Sequence, residues 1–232
     1  MSHQTPNQAP VCPCCSHPLD KPPQRKKKCP HCGNFMYVRT LPDSRQRVVV
    51  TEEQAQQIEA EWAKINFRRR WLSPLAPYGV TEADLDHRKD ALSRKFGREA
   101  SDRDAVWSLF NAVVAVVARV SNFNGLKMLY FEMALFVGAE GKDPFHLLQQ
   151  SQKMELMRYK GTLGFTGVEI FACEDSCEAC RKLDRKVFTI EEALEKMPIP
   201  CRECTNPILS DDWGWCRCFY GVVVEEAEFD RM

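Results

Sequence analysis

The chain has 232 residues, 44% hydrophobic and 28% charged, and its 32 basic and 32 acidic side chains cancel. That length and composition suit one or two compact domains with a sizeable core, and a net charge of zero argues neither for nor against a nucleic-acid partner. The longest apolar stretch, AVWSLFNAVVAVVA, is too short and interrupted to span a bilayer, which excludes a helical membrane protein. The start, MSHQTPNQAP, lacks the apolar centre of a secretory signal, so a cytoplasmic protein with reduced thiols is expected.

Residues 1–11 are polar and patternless and read as a disordered tail. Residues 12–50 form a small module with two cysteine knuckles and two strands, NFMYVRTL and RQRVVV. Thr51 opens a helix, with Gln54 completing a capping box and Ile58, Trp62 and Ile65 on one face. Helix and linker together fill 51–80, ending in the turn signals Pro74, Pro77 and Gly79. Residues 81–160 read as a bundle of four helices with short connections. Thr81 caps the first and Gly97 ends it; Ser101 with Asp104 caps the second. The second is apolar nearly all round and is expected to be the buried central helix. Asp143 and Pro144 start the fourth. Phe131, Met133, Leu135 and Phe136 read as packed core. After Gly161 the pattern shifts to an α+β module over 161–232, with strands GVEIFAC and CFYGVVVEE and a short helix capped by Thr189 and Glu192. The fold class is therefore α+β and multi-domain.

Twelve cysteines fall in two clusters, five within 12–32 and seven within 173–218. Tight clusters suit local metal sites better than a disulfide scaffold. A structural zinc site takes four tetrahedral ligands, and two Cys-x-x-Cys turns supply them. The first cluster offers Cys12, Cys15, Cys29 and Cys32, with Cys14 an alternate thiol and His17 and His31 spares. Gly33 permits a left-handed turn that aims backbone amides at the sulfurs. With KKKCPHCGNFMYVR as second knuckle and strand, residues 12–50 resemble a zinc ribbon.

The second cluster is over-supplied. Cys177, Cys180, Cys201 and Cys204 are the first ligand set. In the alternate, Cys216 and Cys218 replace Cys201, Cys204 or both; Cys173 is expected in the core. One ion is the simpler reading, and two ions sharing the thiols the other. A thioredoxin-type redox pair would need only one Cys-x-x-Cys. From Cys177 to Cys218, the knuckle, the LDRKVF turn, the PIP and the Cys-Arg-Cys resemble the zinc-binding segment of phage head-morphogenesis (minor head) proteins. Two departures stand out: Arg185 occupies the usual turn glycine, and a cysteine, Cys201 or Cys204, lies near the usual histidine. The resemblance is local to these residues.

Charge is unevenly spread. Residues 1–47 carry eight basic side chains against Asp20 and Asp43, and the last eight residues carry four acidic ones against Arg231. Arg25, Lys26, Lys27, Lys28 and Arg39 are the candidate nucleic-acid contacts, because phosphate binding needs only clustered cations. Phe35 and Tyr37 alternate beside them, with a mini-core role the plainer reading. None of the phosphate-loop, nucleophile-elbow, HExxH or zinc-deaminase motifs occurs. The expected function is a zinc-binding adaptor, more readily non-enzymatic, with two structural Zn2+ sites and a nucleic-acid or protein partner. The alternatives are a zinc-site hydrolase or nuclease using Glu174, Asp175 or Glu178, and a phage-derived head-assembly component.

Overall fold

The computed structural model describes residues 10–205 and 216–224. It is a mixed α+β protein dividing into two compact units, residues 1–70 and 71–232. No helix among the described residues is long and apolar enough to cross a membrane.

In the first unit, β1 (Lys27–Lys28), β2 (Phe35–Thr40) and β3 (Arg47–Val50) form an antiparallel sheet in that order. Alternation along β2 and β3 gives the sheet two jobs. Met36 and Val49 face the cysteines, packed with Leu19. Tyr37, Val48 and Val50 face the opposite way, onto Ala55, Ile58 and Trp62 of α1 (Glu52–Leu72). Thr51 Oγ1 accepts the Gln54 amide at 3.3 Å while Gln54 Oε1 accepts the Thr51 amide at 3.1 Å, so the expected capping box forms. The helix runs on through Arg68, Arg69 and Arg70 to Leu72, two residues into the WLSPLAPYG stretch that the sequence suggested as a linker or turn.

The second unit contains α2 (Glu82–Phe96), α3 (Asp102–Arg119), α4 (Phe123–Gly138) and α5 (Phe145–Lys160). α2 packs on α3, α3 on α4, and α4 on α5. Contrary to the expectation of a helix buried on all sides, α3 is one-sided. It buries Ala105, Val106, Leu109, Phe110, Val113 and Val117 but leaves Val116 61% exposed, and Val120, just past its end, 73% exposed. With α2 and α4 on one side, an apolar sequence all round does not make a helix buried all round.

Ser101 caps α3 by accepting the Asp104 amide, and Asp104 Oδ2 accepts the Ser101 amide at 2.9 Å. That backbone hydrogen bond, with the Ser101 hydroxyl, holds the Asp104 carboxyl below its ordinary range. Ser101→Ala is expected to destabilise the second unit by about 1 kcal/mol. Differential scanning calorimetry should show Tm lowered by roughly 2–4 °C; an unchanged Tm would mean the cap contributes nothing.

Beyond α5, β4 (Phe165–Phe171), α6 (Glu178–Arg181), β5 (Val187–Thr189), α7 (Ile190–Lys196) and β6 (Phe219–Val224) complete the unit. The sheet is antiparallel in the order β5-β4-β6. Val168, Ile170 and Tyr220 of its inner face join Leu156, Tyr159, Ile190, Ala193 and Ile199 in one core that also takes in the second cysteine cluster. Arg185 adopts a left-handed conformation, φ 60°. It therefore keeps the backbone that glycine gives such a turn, at about 1–2 kcal/mol for a side chain there. Its amide donates to the Ile170 carbonyl at 2.8 Å, and its guanidinium lies 4.5 Å from the Phe171 ring centroid.

Candidate metal centres and the basic hairpin

The two N-terminal knuckles are built alike. The Cys12 amide donates to the His17 carbonyl and the Ser16 amide to the Cys12 carbonyl, both at 2.8 Å. In the second knuckle the Cys29 amide donates to Asn34 and the Gly33 amide to Cys29, at 2.8 and 2.9 Å. Both turns end in a left-handed residue, Ser16 at φ 57° and Gly33 at φ 76°. Gly33 advertised its turn in the sequence; Ser16 did not, because serine is not the usual left-handed residue.

These turns bring the sulfurs of Cys12, Cys15, Cys29 and Cys32 within 4.8 Å of one another. Cys12 to Cys32 and Cys15 to Cys29 are each 3.9 Å. A tetrahedral ion with metal–sulfur bonds near 2.3 Å has sulfurs about 3.8 Å apart, so the four fit one ion. Cys12 is almost wholly buried, which pushes its thiol up, but the Cys14 and Cys15 amides outweigh burial and bring it down to about 7. Thiolate is the ligating form. The Cys15 thiol beside it shifts the other way: the His17 backbone lowers it, but burial and the Cys12, Cys32 and Cys29 side chains outweigh that lowering. Cys14 is exposed, outside the set, and its amide donates to Cys12 Sγ at 3.4 Å. His17 and His31 stack on one another with ring centroids 4.0 Å apart.

The C-terminal cluster differs in form. Cys177 and Cys180 bracket the start of the single-turn α6, and Cys216 and Cys218 lead into β6. The sulfurs form two groups of three: Cys177, Cys180 and Cys204, and Cys180, Cys216 and Cys218. Cys177 to Cys204 is 3.8 Å and Cys180 to Cys216 is 3.5 Å. The Cys180 amide chiefly lowers the Cys177 thiol, to about 6. The Cys218 side chain chiefly lowers that of Cys216, to about 5. Cys201, in the first sequence-based set, falls in neither group; its thiol donates to Glu203 Oε2 at 3.3 Å. Cys173 is half-buried with its thiol directed at the Arg217 carbonyl. Both clusters can hold a metal ion by donor type and spacing. Of the carboxylates weighed for hydrolysis, Asp175 pairs with Arg217 at 2.8 Å and Glu178 with Lys182 at 3.0 Å.

The basic run becomes one edge of the first sheet. β1 pairs Lys28 with Phe35 and Lys27 with Met36, so neighbouring lysines face opposite sides. Lys26 Nζ lies 4.5 Å from the Phe35 ring centroid and 4.6 Å from that of Tyr37, and Lys28 Nζ is 5.1 Å from Phe35. Tyr37 is buried against α1 while Phe35 is 43% exposed. The alternating pair therefore divides: one ring is core, the other stands on the surface under two ammonium groups. Arg39 is engaged elsewhere, forming an ion pair with Glu59 and hydrogen-bonding the Val38 carbonyl. Glu52 and Glu53 share a cleft with Phe35 and Lys28, so two carboxylates also stand beside this ring and lysine.

No family model matches the chain, and no curated protein or solved structure matches it either.

Proposed function

We propose that this chain is a zinc-binding adaptor whose N-terminal unit, a zinc ribbon held by Cys12, Cys15, Cys29 and Cys32, grips a nucleic-acid backbone along its basic hairpin. The zinc of this ribbon is structural: four thiolates fill its coordination sphere and leave no open position for a reactive water. The observation that carries the reading is the exposed Phe35 ring flanked by Lys26 and Lys28 within the run Arg25–Lys28. Cations that rest on a ring are already partly desolvated and can turn to phosphates, and the freed ring can stack on a base. Aromatic stacking with sequence-independent phosphate contact favours single-stranded nucleic acid.

Binding to a fluorescent single-stranded oligonucleotide, measured by anisotropy at two salt concentrations, tests this. Affinity should fall steeply with salt. Lys26→Ala with Lys28→Ala should reduce the log–log slope by about 1.4, at roughly 0.7 for each phosphate no longer neutralised. Phe35→Ala should weaken binding by about 1–3 kcal/mol, whereas Arg39→Ala, whose guanidinium serves Glu59, should leave the slope unchanged. Absence of binding at low salt, or binding indifferent to Lys26 and Lys28, overturns the proposal.

A further inference from the structure

We infer that the C-terminal cluster holds two metal ions bridged by the Cys180 thiolate, one ion on Cys177, Cys180 and Cys204 and the other on Cys180, Cys216 and Cys218.

The two clusters differ in how their sulfurs group. At the N-terminus, four sulfurs form a single mutually close set, as one tetrahedral ion requires. At the C-terminus, five sulfurs form two groups of three with one member in common. Each triad contains one pair near the edge length of a tetrahedron around zinc, Cys177–Cys204 at 3.8 Å and Cys180–Cys216 at 3.5 Å. A single ion seated in one triad leaves two sulfurs of the other unliganded. A thiolate has lone pairs enough to bridge two ions, and the shared residue is the one whose position allows it: Cys180 is wholly buried and belongs to both groups.

Charge points the same way. Cys180, Cys216 and Cys218 are 0, 7 and 3% exposed, and buried charge is costly unless compensated. Five thiolates with one dication leave a net −3, or −2 if one stays protonated; two dications bring the cluster to −1. A water on each ion completes four-coordination.

The fold places these ligands without distorting a regular element. Cys177 stands at the N-cap of α6 and Cys180 within its single turn. Cys204 closes a turn on Cys201, its amide donating to that carbonyl at 3.1 Å. Cys216 and Cys218 are two residues apart at the entry to β6, the spacing that puts side chains on one side of an extended chain.

Zinc counting by plasma mass spectrometry on the full-length chain, purified under reducing conditions, tests the inference. The expected content is about three ions per chain, one N-terminal and two C-terminal. Cys180→Ser should lower it to about one, whereas Cys204→Ser and Cys218→Ser should each lower it to about two. Because a variant can lose its fold, cobalt(II) titration of the wild-type chain provides a second readout. The last equivalent should lower the paramagnetic resonance signal per cobalt, since a thiolate bridge couples the two spins antiferromagnetically. About two ions per wild-type chain, or a signal that grows in proportion to cobalt through saturation, overturns the bridged pair. A count of two would leave single-ion binding at each cluster standing; a metal-free chain would remove that as well.

Discussion

Cys29→Ser combined with Cys32→Ser is expected to unfold residues 10–50 while the helices of the second unit keep their structure. The reason is the scarcity of apolar contact on the cysteine side of the first sheet. There Met36 and Cys12 are almost fully buried, but the other hydrophobic neighbours besides the ligands are only Leu19 and Val49, both partly exposed. Ion binding to such a site is worth roughly 10–16 kcal/mol near neutral pH, comparable to or larger than the whole stability of an ordinary domain. The opposite face, Tyr37, Val50, Ala55 and Ile58 against α1, is too small to hold the sheet once the knuckles open. Amide resonances of β2 and β3 in a heteronuclear correlation spectrum are the measurement. Chelation of the wild-type chain should collapse the same resonances. Acid should act in the same direction, because protons compete with the ion for the four thiolates and binding is pH-dependent. Dispersed β2 and β3 signals in the double variant would show that the metal is not what holds this unit.

The second large effect is expected at Glu155. It is 7% exposed on α5 and joins three parts of the second unit. Its Oε2 lies 3.0 Å from Lys127 Nζ on α4. Its Oε1 accepts from Arg158 at 2.9 Å and from the Tyr159 hydroxyl at 2.7 Å. The same hydroxyl is 3.2 Å from the Tyr220 carbonyl on β6. Burial pushes the Glu155 carboxyl up, but the hydrogen bonds from Arg158, Tyr159 and Lys127 outweigh it and the net shift is downward. Glu155→Ala should cost about 2–4 kcal/mol, toward the lower end for a broken buried pair because Lys127 and Arg158 keep contact with water. For a unit of this size that lowers Tm by roughly 6–12 °C. The pH dependence has a definite sign. A depressed carboxyl contributes stability that is fully present above the unfolded value of about 4.3 and is lost as pH falls through the folded value. Wild type should therefore lose stability in acid faster than Glu155→Ala, and the gap between them should narrow below about pH 4. Parallel pH profiles would remove Glu155 as the hub.

The nucleic-acid reading and the bridged pair stand on separate observations. One concerns a hairpin edge in the first unit, the other a thiol cluster in the second. Failure of oligonucleotide binding leaves the metal count untouched, and a single C-terminal ion leaves Lys26, Lys28 and Phe35 where they are.

Much of this architecture was legible in the chain itself, wherever the determinant is local. The caps read at Thr81, Ser101 and Thr189 form, each of them as a full capping box, because a side chain three residues from an amide needs no distant partner. Cys12, Cys15, Cys29 and Cys32 converge as their spacing implied, because a Cys-x-x-Cys turn nearly dictates where its sulfurs go. Only the tertiary structure decided what depends on which surfaces meet. It sorted Phe35 from Tyr37, identical in strand alternation, by laying α1 over one ring and not the other. It left one face of α3 bare and tied Arg39 to Glu59, twenty residues away. It set Cys201 apart from the two thiol triads and joined Cys216 and Cys218 to Cys180. In a cluster with more sulfurs than one ion can use, sequence spacing supplies candidates. The pairing of β6 with β4, which fixes where the Cys-Arg-Cys segment enters the sheet, selects among them.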